Sequence, residues 1–182
     1  MSITVIETKR MRVRRLVESD ARSMFEVYSD PEGCRWVDDG NPITLDECVL
    51  WIDVTHKNYQ NRGYGMFAAE DRACGQGGRS GQSGQVVGFC GIVHPNQQPE
   101  PEIKYAIRRE RWGQGLATEL ASGMLRYAEQ ELGISRVIAT IAPENTASQR
   151  VAARIGMQLI DPRIDKDGTR IDVYEWLGTA ST

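Results

Sequence analysis

The chain has 182 residues, 40% of them hydrophobic and 26% charged, with a formal net charge of −3. That length suits one domain, 1–182, with a sizeable core, and the slight acidic excess argues against a nucleic-acid-binding domain. No run of about 18 apolar residues offers a membrane span, and the opening residues lack the apolar block of a secretory signal.

In chain order, Lys9, Arg10, Arg12, Arg14 and Arg15 alternate with Met11, Val13 and Leu16. This predicts a strand over 11–16 with a solvated basic face rather than a nucleic-acid patch. Ser19 or Asp20 then caps a helix burying Met24, Phe25 and Tyr28, and Asp30-Pro31 stops it. Thr44-Leu45-Asp46-Glu47 reads as a capping box opening a second helix that ends at Asn61-Arg62-Gly63. Strands are expected over 64–69 and Val86–Val93. Between them the glycine- and serine-rich stretch 75–84 reads as a flexible loop, because no helix follows it as a phosphate loop would need. The four cysteines, at 34, 48, 74 and 90, form no C-x-x-C pair and have only His56 and His94 to join them. No metal site is therefore expected, and the thiols read as the reduced cysteines of a cytoplasmic protein.

Glu102–Ile107 is the next predicted strand. After it, Trp112-Gly113-Gln114-Gly115-Leu116-Ala117 leads into a helix in which Leu116, Leu120, Met124, Ala128 and Leu132 form one apolar stripe, closed by Gly133. A strand over 137–141 and a helix over 145–155 follow, then strands over 158–160 and 171–177. Hairpins combined with one β-α-β-α passage predict a mixed α/β sheet with helices on both faces.

The segment after Glu102–Ile107 carries the chemistry. Glycines at 113 and 115 allow a tight turn and leave amides uncovered at a helix N-terminus, where phosphate binds well. A turn without a ligand would use the same residues. The Walker lysine is missing, and Thr118 stands where the dinucleotide fingerprint needs glycine or alanine.

The stretch from Glu102 to Glu119, with E-I-K-Y at its start and W-G-Q-G-L-A-T-E at its end, resembles the coenzyme A-binding core of GNAT acyltransferases. It is most similar to the RimJ/RimL-type branch, whose targets include ribosomal-protein N-termini. Pro143-Glu-Asn-Thr-Ala-Ser148 with Arg154-Ile-Gly-Met157 is similar to that branch's downstream segment, as is 8–31 to its opening. The family pattern is departed from at Lys104 (commonly glycine) and Met157 (commonly aromatic), and the 75–84 stretch lies outside it. Trp112 differs from the wider superfamily but suits this branch.

The resemblance implies a mostly antiparallel central sheet with splayed middle strands. It implies acetyl-coenzyme A as co-substrate, without a metal. Backbone groups of Tyr105, Ala106 and Ile107 would hold the pantetheine arm, with Asn145 and Ser148 on its other side. The amides of Trp112, Gly113, Gln114, Gly115, Leu116 and Ala117 would hold the pyrophosphate. Arg150 and Arg154 would lie toward the adenosine end or in solvent.

For catalysis, an alkylamine with pKa near about 10.4 must lose a proton before attack. Glu102 is the candidate base, or a rim carboxylate that attracts a cation. The Ile107 amide is the implied oxyanion donor. No tyrosine occurs in 146–157, which leaves Ser148 as candidate proton donor to the thiolate, or as a plain helix-start residue. Trp36, Asp38, Asp39, Asp46 and Trp51 mark the expected acceptor side. The expected acceptor is a protein N-terminal α-amine, with a small amine or antibiotic second and a non-catalytic coenzyme A-binding module as the different-class alternative. Neither nucleic acid nor membrane is an expected partner, and a homodimer is allowed.

Overall fold

A computed structural model describes residues 3–37, 40–72, 84–164 and 168–179. The Asp38-Asp39 pair, Cys74 and nearly all of the glycine-rich 75–84 stretch fall outside these residues. The chain opens with β1 (Thr4–Glu7), a strand too short and too exposed for its pattern to disclose, antiparallel to β2 (Met11–Arg15). β2 does not present a solvated basic face. Arg14 is 7% exposed; its guanidinium donates to both Asp20 carboxylate oxygens at 2.7 and 2.8 Å and to Glu70 at 2.5 Å. Arg12 also pairs with Glu70. A buried carboxylate costs several kcal/mol, of order, unless it is paired, and Glu70, 1% exposed, is the reason these arginines turn inward.

Helix α1 (Ala21–Tyr28) ends before Asp30, as expected, but Pro31 restarts a helix as well as stopping one. Asp30 accepts from the Glu32 N–H at 3.0 Å and caps α2 (Pro31–Cys34), with proline in the first turn where its missing N–H costs nothing. Thr44 and Glu47 form the expected capping box of α3 (Leu45–Arg62), and Gly63, at φ 83°, closes it.

The remaining elements are β3 (Met66–Asp71), β4 (Val86–Val93), β5 (Glu102–Ile107), α4 (Leu116–Leu132), β6 (Arg136–Ile141), α5 (Thr146–Arg154), β7 (Gln158–Leu159), β8 (Arg163–Ile164) and β9 (Arg170–Leu177). They form a nine-stranded sheet in the order β1-β2-β3-β4-β5-β6-β9-β7, with β8 beside β9. Every pair is antiparallel except β5–β6. No helix among the described residues is long and apolar enough to cross a membrane.

Alternation along β5 divides the core in two. Ile103 and Ile107 join the α4 stripe (Leu116, Leu120, Met124) and α5 on one face. Ala106 joins Met24 of α1 and Ile52 of α3 on the other. Helices thus cover both faces. β4 and β5 lie so close that a Cβ on Gly88 would meet the Ala106 carbonyl oxygen at 2.3 Å.

Candidate active site

The two edges of β5 are used differently. Toward β4 it pairs through six registers, from Gly88↔Ile107 to Val93↔Glu102. Toward β6 it pairs once, at Glu102↔Ile138, where the Ile138 N–H donates to the Pro101 carbonyl at 2.9 Å. Beyond that point the strands diverge. The bond from Arg108 N–H to the Val87 carbonyl, 2.8 Å, fixes the phase of the antiparallel ladder. Gly88↔Ile107 and Cys90↔Tyr105 are then non-hydrogen-bonded pairs, so the N–H groups of Tyr105 and Ile107 point away from β4 into the fork. Ala106 is out of phase: its backbone bonds β4, and only its side chain reaches the fork. The Ile107 carbonyl accepts the Trp112 indole N–H at 2.6 Å, which leaves the Ile107 amide as its group facing the opening.

A groove of about 510 Å³ runs from this fork to the N-terminus of α4. Its lining includes Tyr105, Ala106, Ile107, Trp112, Gly113, Gly115, Leu116, Ala117, Asn145 and Ser148. A cavity of about 70 Å³ deeper in the fork shares Trp36, Tyr105, Asn145 and Ser148 with it and adds Lys104 and Thr140. Gly115 stands at φ 74° as the residue before α4 and supplies no side-chain cap. The first amides of α4 therefore keep their donors, and the helix end favours an anion. Arg111, Arg150 and Arg154 line the same end. Arg150 also holds the Thr146 carbonyl and hydroxyl, both at 3.1 Å. Gln114 is not among the lining residues: its carbonyl accepts from Arg10 at 2.8 Å. The Trp112 amide, expected on the pyrophosphate, donates instead to the Arg109 carbonyl at 3.1 Å, so Trp112 offers the groove only its side chain.

Across the groove, Asn145 caps α5. Its Oδ1 accepts the Ser148 N–H at 3.1 Å, which leaves its amide nitrogen to donate into the opening. Tyr105 and Ser148 line the same groove and the same small cavity, and burial pushes the Tyr105 hydroxyl up to about 12, with Ser148 pulling the other way. Tyr105 is thus a hydroxyl held in its donor form beside Ser148. No tyrosine of 146–157 fills this place; Tyr105 comes to it from β5. The alternation along Glu102–Ile107 was the available signal, because it sends residue 105 to the face α5 must cover.

Glu102 is 1% exposed and is not among the groove-lining residues. Its carboxylate accepts from the Thr140 N–H at 3.2 Å, the Thr140 hydroxyl and Gln98 Nε2 at 3.0 Å, and pairs with the Lys104 ammonium. Lys104 also reaches Thr140 Oγ1 at 3.1 Å, and its side chain keeps 43% exposure. It is Lys104, not Glu102, that meets the cavity. Of the expected acceptor-side residues, Trp36 lines both spaces. Trp51 instead packs edge-on against Tyr28, with centroids 5.5 Å apart, and Asp46 stands exposed in the first turn of α3. Met157 is buried in the core.

Known proteins match this architecture. A family model for the acetyltransferase (GNAT) domain matches residues 10–158. The chain is 31% identical over 176 residues to the uncharacterized protein YkkB of Bacillus subtilis, covering 94% of this chain and 95% of that one. It is similar in fold to an acetyltransferase from Agrobacterium tumefaciens, with a TM-score of 0.74 at 23% identity, covering 97% and 94% of the two chains. It is also similar to RimL, a ribosomal-protein alpha-N-acetyltransferase solved with coenzyme A, with a TM-score of 0.77 at 17% identity and 100% of each chain covered.

Proposed function

The chain belongs to the acetyltransferase (GNAT) family, and from that premise we propose that it moves an acetyl group from acetyl-coenzyme A to the α-amine of a protein N-terminus. The observation that carries the reading is the open edge of β5: the Tyr105 and Ile107 amides face a groove that ends on the amides opening α4. Pantetheine is an extended chain with amides of its own, and such an edge can take it as an added strand. The Asn145 amide meets it from the opposite wall. The amides of Gly113, Gly115, Leu116 and Ala117 would hold the pyrophosphate, and Arg150 and Arg154 would face the phosphates of the nucleotide end. The continuous sheet supports reading 1–182 as one such domain. Likeness to RimL supports the RimJ/RimL-type branch and its N-terminal acceptor.

In the reaction the neutral amine attacks the thioester carbon, a C–N bond forms, and the tetrahedral oxyanion meets the Ile107 N–H. A donor already in place there needs no reorganisation as charge develops. Because Glu102 is buried, the proton moves by relay: Thr140 gives its hydroxyl proton to Glu102 and takes one from the Lys104 ammonium, and the freed Lys104 nitrogen accepts the amine proton. The C–S bond then breaks, and the thiolate accepts a hydrogen bond from the Ser148 hydroxyl and takes its proton from solvent. A thiol pKa near about 8.5 makes that leaving group undemanding.

One feature favours a second acceptor class. Lys104 places an ammonium in the fork, which suits an amine bearing a nearby carboxylate, as in a free amino acid. Thiol release from acetyl-coenzyme A, measured with N-terminal peptides, free amino acids, polyamines and aminoglycosides, tests both readings. Peptide-dependent release supports the first and amino-acid-dependent release the second. Cofactor binding without release for any amine would leave the non-catalytic module instead.

A further inference from the structure

The loop joining β5 to α4 is braced from behind. Arg10, in the turn between β1 and β2, donates from its backbone N–H to Glu119 Oε1 at 2.8 Å and from Nε to Glu119 Oε2 at 2.6 Å. Its Nη1 donates to the Gln114 carbonyl at 2.8 Å. The N–H and C=O of a trans peptide point in opposite directions. A Gln114 carbonyl turned toward Arg10 therefore turns the Gly115 N–H away from it, to the side where Gly115 lines the groove.

That orientation is not secured by the loop itself. Gly113 and Gly115 stand at φ 72° and 74°, and glycine moves between backbone regions at little steric cost. The peptide between Gln114 and Gly115 is thus free to flip unless something holds its carbonyl. Glu119 poses a second difficulty, because a carboxylate in the first turn of α4 opposes an anion at the same helix end. Burial alone would raise the Glu119 pKa, but hydrogen bonds from Thr8 and Arg10 outweigh it and hold the carboxyl below its ordinary value. Glu119 is therefore charged, and the Arg10 guanidinium cancels that charge at contact distance. Close approach of the turn to α4 is allowed by Gly123, where a Cβ would meet Thr8 Cγ2 at 3.2 Å.

We propose that Arg10 is a positioning residue for the pyrophosphate of acetyl-coenzyme A: it holds the Gly115 N–H in the groove and neutralises Glu119 behind it. This rests on the cofactor placement above. The test compares acetyl-coenzyme A with acetyl-pantetheine, which carries the same thioester without the pyrophosphate, in the wild type, Arg10→Ala, Arg10→Lys and Arg10→Ala/Glu119→Gln.

Arg10→Ala is expected to weaken acetyl-coenzyme A binding about tenfold while acetyl-pantetheine kcat/KM stays within about twofold. Removing the uncompensated carboxylate in the double variant should recover about threefold, and Arg10→Lys, which keeps charge but loses the fork, should fall between Arg10→Ala and the wild type. Equal loss with both donors would make Arg10 a folding residue only and overturn the proposal, as would no loss at all. A wild type that binds both donors equally would bring down the pyrophosphate placement, and this proposal with it.

Discussion

The two edges of β5 are built from the same six residues and do opposite work. Toward β4 every register is paired and the backbones nearly touch across Gly88. Toward β6 a single register closes the fork, and the groups that would have made the next ladder face a groove. A buried backbone N–H left without a partner is costly, so an edge held open inside a sheet is stable only where solvent or a ligand can reach it. The closed edge supplies the rigidity, and the open edge supplies directed donors at fixed spacing.

Breaking the closed edge has the largest expected effect. Gly88→Val drives a branched side chain into the Ala106 backbone, and at that separation the strands must part. Thermal unfolding should show a loss at or beyond the upper end of the usual overpacking cost, about 3 kcal/mol. The variant should lose cofactor binding only because it unfolds.

On the open side, Gly115→Val should leave the fold intact and raise the Kd for acetyl-coenzyme A on the order of 100-fold. A branched residue at that φ costs about 1–2 kcal/mol, and displaced amides forfeit hydrogen bonds to a charged group worth about 1.5–3 kcal/mol. Calorimetry beside a melting curve separates the two sites: stability lost at Gly88, affinity lost at Gly115. Tight binding by Gly115→Val would sink the placement of the pyrophosphate.

Within the fork, Ser148→Ala and Tyr105→Phe should lower kcat on the order of 10- to 100-fold, with KM for acetyl-coenzyme A little changed. Steady-state kinetics should show Ser148→Ala as the more severe, because on the proposed placement Ser148 meets the sulfur and Tyr105 lines the cavity beside it. The pH dependence has a definite sign. Tyr105 is raised to about 12, so its donor form persists through neutral pH and its contribution is lost only as pH rises through that value. A kcat profile falling near pH 10 in wild type and not in Tyr105→Phe would contradict this.

The smallest effect belongs to Glu119, whose pKa is lowered in the folded protein. Its stabilisation is present above its unfolded pKa, about 4.3, and is lost as pH falls through the lowered folded value. Acid unfolding of Glu119→Gln should begin at nearly the same pH as wild type but with a shallower slope.

Much of this was legible from the sequence because it is local. Thr44 and Glu47, the α4 stripe, and Gly113 and Gly115 lie within a few residues of their partners, and spacing alone announces them. The open edge was legible only through the resemblance of Glu102–Ile107 and its loop to the GNAT core, since no periodicity says which neighbour a strand will leave unpaired. The pairs that complete the site, Tyr105 with Ser148 and Arg10 with Glu119, join distant segments through the third dimension. Glu102 shows the converse. Its place at the start of β5 was predicted correctly, but its burial under Lys104, Thr140 and Gln98 depends on three side chains whose convergence no single pattern encodes.

Amide-resolved hydrogen exchange across β5, with and without saturating acetyl-coenzyme A, tests the open edge most directly. The expected result is slow exchange at Lys104 and Ala106 in both states, with Tyr105 and Ile107 fast in the free protein and protected on binding. Unchanged exchange at Tyr105 and Ile107 in the bound protein would mean that the cofactor does not lie along this strand.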